Sequence, residues 1–100
     1  MRTIKSLLNQ KGRVYVFLRD TETALRFIRM AEGEGFTYGD GAALSSREIS
    51  DIYALNGDFT VNTVGFAGHM AFYAKSGRIV RVDFAEYVSG GDDYILKGTV

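Results

Sequence analysis

A chain of 100 residues, 46% hydrophobic and 24% charged, has the length and composition of one globular domain spanning residues 1–100. It has no cysteine, which excludes a disulfide framework, thiolate catalysis and thiolate metal sites. Its formal net charge is zero, a poor basis for non-specific DNA binding, where affinity comes from neutralising phosphates.

No apolar run approaches the roughly 20 residues of a membrane span. The opening Met1-Arg2-Thr3-Ile4-Lys5 lacks the apolar centre of a signal peptide. The expectation is a cytoplasmic protein without membrane contact. The charge is unevenly spread. Residues 1–30 hold seven bases and two acids, a net of +5, and residues 31–60 hold one base and six acids, a net of −5. Such a layout suits protein–protein contact. Mutual compensation of the two segments within the fold is its bland explanation.

In chain order, Thr3 to Gln10 reads as a short amphipathic helix, capped by Thr3, with Ile4, Leu7 and Leu8 on one side. Lys11-Gly12 breaks it. Val14-Tyr15-Val16-Phe17-Leu18 is an unbroken β-prone run, as in a strand buried on both faces. Asp20 caps a helix over Thr21–Glu32, whose inward face is Ala24, Phe27, Ile28 and Ala31, with Leu25 and Met30 at its edges. Glu22 and Arg26 stand at the spacing of a surface ion pair. Gly33 or Gly35 supplies a left-handed cap.

Phe36-Thr37-Tyr38 is a brief strand and Gly39-Asp40-Gly41 a turn. Ser45 and Glu48 have the spacing of a capping box. Asp51–Leu55 and Phe59–Gly65 are strands joined at Asn56-Gly57, a hairpin signal. Gly65–Gly68 interrupts the pattern, His69–Tyr73 fits strand or helix, and Lys75-Ser76-Gly77 is a turn. Arg78–Phe84 alternates, with Val80, Val82 and Phe84 inward and Ile79, Arg81 and Asp83 outward. Ala85–Val88 fits a helical turn and Tyr94-Ile95-Leu96 an edge strand. The expected fold is α+β: two layers, one main helix packed on a mostly antiparallel sheet of about four to five strands.

No catalytic or metal motif is recognisable, and no cofactor is expected. His69, the lone histidine, sits in Gly65-Phe66-Ala67-Gly68-His69-Met70. A glycine frame brings backbone amides near a ligand, and an imidazole there could act as acid or base. A packed histidine is the plainer account. Glu34-Gly35-Phe36-Thr37-Tyr38-Gly39-Asp40-Gly41 follows a helix C-terminus, where the dipole repels the phosphate that a glycine loop cradles before a helix. Capping and turn geometry explain it, with an exposed Phe36 or Tyr38 left as an interface anchor. Arg26 and Arg29, on the outer helix face, could meet phosphate, although a solvated charge is the default there. Asp51, Asp58 and Asp83 are scattered near strand ends. The candidate ligand- or partner-binding residues are therefore Tyr38, Asp40, Phe66, His69, Arg26 and Arg29.

The strand–helix–E-G-F-x-Y-x-x-G–hairpin order over residues 13–88 resembles small uncharacterised α/β proteins of bacterial phages and mobile elements. Tyr38 stands where many of these carry tryptophan. The resemblance implies a setting of accessory genes, in which inhibitors of host defence, anti-CRISPR proteins included, are common. The leading expectation is a non-enzymatic phage or mobile-element protein that inhibits a host anti-phage factor by protein–protein contact. The alternatives are an oligomeric sponge for a small ligand or signalling nucleotide, and a small enzyme using His69. Thirteen aromatics also leave room for a homo-oligomer interface.

Overall fold

The structure is a computed structural model that describes residues 2–9, 13–64 and 79–96. Its order is a 3-10 turn Lys5–Asn9, β1 Arg13–Phe17, α1 Thr21–Gly33, β2 Thr37–Tyr38, a 3-10 turn Leu44–Ser46, β3 Ile52–Leu55, β4 Thr60–Thr63, β5 Ile79–Asp83 and α2 Phe84–Ser89. The strands form one sheet in the order β2-β4-β3-β1-β5. This is the expected α+β architecture, with α1 on one face of a five-stranded sheet. The centre β4-β3-β1 is antiparallel, and parallel pairings, β2 with β4 and β1 with β5, close both edges.

Side-chain alternation along β1 explains its place. Val14 and Val16 enter the core under α1, while Tyr15 enters a smaller apolar cluster on the opposite face with Ile52 and Ala54. A strand apolar on both faces belongs inside a sheet covered on both sides, and β3 and β5 pair with β1 on its two edges. α1 buries Ala24, Phe27, Ile28 and Ala31, the predicted face, and Asp20 caps it by accepting from the Thr23 amide at 2.8 Å. Phe27 stacks on Tyr53 at 5.2 Å between centroids and meets Phe84 edge-on, also at 5.2 Å.

α1 ends in a Schellman arrangement. The Phe36 amide donates to Ala31 O at 2.9 Å and the Gly35 amide to Glu32 O at 3.1 Å, with Gly35 at φ +92°. The chain reverses there and delivers Phe36 and Tyr38 to the core.

Several local expectations are corrected. The first helix is a five-residue 3-10 turn. Thr3 does cap it, its hydroxyl accepting from the Ser6 amide at 3.1 Å. Its first amides, of Ile4 and Lys5, are taken by the Glu34 carboxylate at 2.8 and 2.9 Å, a partner far along the chain. The Ser45–Glu48 capping box does not form. Ala43 holds the cap position of the second turn, and the Ser45 amide and hydroxyl both donate to Glu32 at 3.0 and 2.9 Å. The β3–β4 connection is four residues long, one more than the expected strand bounds leave, and its positive φ falls on Phe59 at +64°, not on Asn56 or Gly57. Phe59 N donates to Asn56 O at 3.1 Å, closing a turn before the left-handed residue.

β5 runs parallel to β1 instead of continuing a meander, and Arg81, expected outward, is buried on the second face. Tyr94–Leu96 does lie along β5, through an antiparallel bridge between Ile95 and Val82. The Glu22–Arg26 ion pair is absent among the described residues. The breaks at Lys11-Gly12 and Gly65–Gly68, the segment His69–Tyr73 and the turn Lys75-Ser76-Gly77 lie outside them.

Two glycine replacements separate backbone strain from contact. A Cβ at Gly33 or at Gly35 meets nothing within 4 Å, but only Gly35 has a positive φ. Gly35→Ala is expected to lower stability by about 1 kcal/mol through the left-handed conformation. Gly33→Ala, at the helical end of α1, is expected to raise it by about 0.5 kcal/mol through the unfolded chain. Urea midpoints at constant m-value measure both.

Candidate functional site

The predicted site residues divide between two places. Tyr38 and Asp40 lie at the β2 edge of the sheet. Arg26 and Arg29 lie on the outer face of α1. Phe66 and His69 lie outside the described residues.

At the β2 edge, Tyr38 is not the exposed anchor expected of it. It is 3% exposed and Phe36 is 2% exposed, both in the main core. Strand β2 is too short to present them, and the reversal at Gly35 turns them inward. The exposed aromatic of this region is Phe59 at 43%, edge-on to Phe36 at 5.7 Å and under the Lys5 ammonium at 4.5 Å. Arg47 covers Tyr38, its guanidinium carbon 4.3 Å from the ring centroid, and pairs with Asp40. Asp40 also accepts from the Ala42 amide at 3.0 Å, closing the turn. That hydrogen bond first, and Arg47 after it, hold the Asp40 carboxyl below its usual range. With Asn62 and Thr63, these residues line a shallow hollow of about 370 Å³.

The Tyr38 hydroxyl is buried beside the Tyr53 phenol without reaching hydrogen-bond geometry. Tyr53 Oη is already engaged by the Ser50 amide at 3.2 Å. Burial, and after it the neighbouring phenol, push Tyr38 up to about 12, against a smaller opposing pull from Arg47.

The second place is built on α1. Arg26 and Arg29 are exposed and have no ion pair or hydrogen bond among the described residues. Leu25, 44% exposed, lies beside them. The ion pairs among the described residues are Arg2–Asp92 at 3.7 Å, Arg19–Asp83 at 3.2 Å and Arg47–Asp40. None of these three joins the basic first thirty residues to the acidic segment 31–60. Glu32 and Glu34 are instead occupied with the amides of the two 3-10 turns. Asp58 serves the hairpin, accepting from the Thr60 amide at 3.2 Å and hydroxyl at 2.6 Å.

Between α1 and the end of α2 lies a hollow of about 740 Å³, lined by Arg2, Arg26, Met30, Val88, Ser89 and Gly90. Arg2 is held from three sides. Its Nη1 donates to Tyr87 O at 2.9 Å and to Gly91 O at 2.6 Å, and its guanidinium lies 5.3 and 4.9 Å from the Tyr87 and Tyr94 rings. Tyr87 returns the contact, its hydroxyl donating to Thr3 O at 2.6 Å.

The residues that organise both places, Arg2 and Arg47, carry no local signal in the sequence. Arg47 stood inside the supposed capping box, and Arg2 reaches partners more than 80 residues away.

The Tyr38 hydroxyl gives a pH test. Its folded-state value lies above the ordinary 10, so the folded state favours the neutral phenol. That contribution is complete below pH 10 and is lost as pH rises from about 10 to about 12. Tyr38→Phe is expected to remove one late-ionising phenol from the ultraviolet titration and to flatten the alkaline fall in stability. At pH 7 it should leave stability unchanged or raise it by up to about 1 kcal/mol, since no hydrogen bond is lost.

No family model, no curated protein and no solved structure matches this chain.

Proposed function

We propose that this chain is a non-enzymatic binding protein of a phage or mobile element that inhibits a host defence factor through direct contact, with the outer face of α1 as the contact surface. The observation that carries the reading is the pair Arg26 and Arg29, unpaired among the described residues, beside the exposed Leu25. An apolar centre flanked by cations without intramolecular partners suits a partner surface with an apolar patch and an acidic rim. Forming such a contact breaks no ion pair among the described residues. The helix beneath is rigid, fixed by Phe27 and capped by Asp20, so ordering the surface costs little. The phage setting rests on the sequence resemblance.

Affinity capture from host lysate tests the reading. The wild-type chain should retain one protein in stoichiometric amount and reduce its activity. The triple variant Leu25→Gln, Arg26→Glu, Arg29→Glu should release it while keeping the wild-type melting temperature. Raised salt should slow association more than it speeds dissociation. Retention by the triple variant, or the absence of any stable partner, would sink the proposal.

A further inference from the structure

We infer that the hollow between α1 and the end of α2 is a binding site for a small phosphate monoester carried on an apolar or planar body. Its volume of about 740 Å³ falls within the usual range for small-molecule sites, roughly 300–1,000 Å³. Its lining divides into two chemistries. Met30 and Val88 supply apolar wall, and Arg2 and Arg26 supply two guanidinium groups.

The two arginines contribute differently. Arg2 is pre-organised. One nitrogen, Nη1, is used on the Tyr87 and Gly91 carbonyls, and two aromatic rings flank the group. Its Nε and Nη2 donate no hydrogen bond among the described residues. Nη2 has only Asp92, 3.7 Å away and fully exposed, as counter-charge. The fork that suits bidentate contact with phosphate oxygens is thus held in place and unspent. Arg26, one turn before Met30 on α1, has no partner among the described residues and can close over a ligand. Arg29, three residues on along the same helix face, adds to the local positive potential.

Two guanidinium charges favour a dianion over a carboxylate, and a phosphate monoester carries close to two negative charges at neutral pH. The apolar wall calls for a body on that phosphate. Inorganic phosphate would leave Met30 and Val88 wet, and a neutral aromatic would leave both cations unanswered.

The inference does not rest on capture of a protein partner, and it is tested on the purified full-length chain alone. Phenyl phosphate and adenosine 5′-monophosphate serve as probes, with phenol and inorganic phosphate as the two halves of the smaller one. Methyl and amide NMR spectra should show either monoester shifting Met30, Val88 and Gly90 together. Phenol and inorganic phosphate should each bind at least about tenfold more weakly. Arg26→Gln should weaken monoester binding about tenfold or more with an unchanged melting temperature, because Arg26 holds nothing in the fold. Arg13→Gln, which removes the same charge at the start of β1, should leave binding unaltered. The inference is overturned if neither monoester shifts these groups at millimolar concentration, if phenol alone matches them, or if Arg26→Gln binds as the wild type does.

Discussion

Phe27 is the contact on which the rest of the molecule depends. It is fully buried, stacks on Tyr53 of β3 and meets Phe84 of α2 edge-on. One side chain thus fixes α1 to the central strands and to the second helix. Truncating such a ring opens a cavity that the rigid sheet below cannot collapse to fill, a loss of about 3–5 kcal/mol. Because Phe27 sets the rotation of α1, it also decides which residues face outward. Leu25, Arg26 and Arg29 are exposed since Ala24, Phe27, Ile28 and Ala31 are not.

The same helix directs the electrostatics. Its last turn carries Glu32 and Glu34, which would ordinarily oppose the helix dipole at that end. Here both carboxylates serve other segments. Glu34 takes two amides of the first 3-10 turn, and Glu32 takes an amide and a hydroxyl of the second. Amides at the start of such turns have no internal acceptor, so charge-assisted bonds to them are stronger than surface ion pairs. Glu32 and Glu34 are therefore spent on the two turns, and Arg26 and Arg29 of α1 go without partners among the described residues. A neutral chain in this way keeps a positive face.

The sequence spoke clearly where structure is local or periodic. The α1 face, the Asp20 cap, the left-handed residue after α1, the twice-buried β1 and the β3–β4 pairing all follow from spacings of a few residues. What it concealed depends on long-range partners. The parallel pairing of β5 with β1 decides that Arg81 is buried, and alternation alone cannot distinguish a second apolar face from solvent. Asn56-Gly57 suggested positive φ at those two residues, but the β2–β4 register places Phe59 at the corner, where its carbonyl accepts from the Thr37 amide at 3.2 Å. The candidate site was legible by half. Arg26 and Arg29 followed from the helix wheel, whereas Arg2 and Arg47 gather around aromatics that only the fold brings near. Tyr38 was singled out for exposure and owes its interest to burial.

The Arg2 clasp ties the second residue of the chain to residues 87–94. Closing a loop of more than 80 residues has an entropic cost, offset in part because the β1–β5 pairing already brings the two segments near each other. The wall that Arg2 adds to the hollow exists only while the two ends are held together. A ligand resting there would act as a latch between Arg2 and the segment 87–92, slowing amide exchange in both while leaving the Phe27 core as it was.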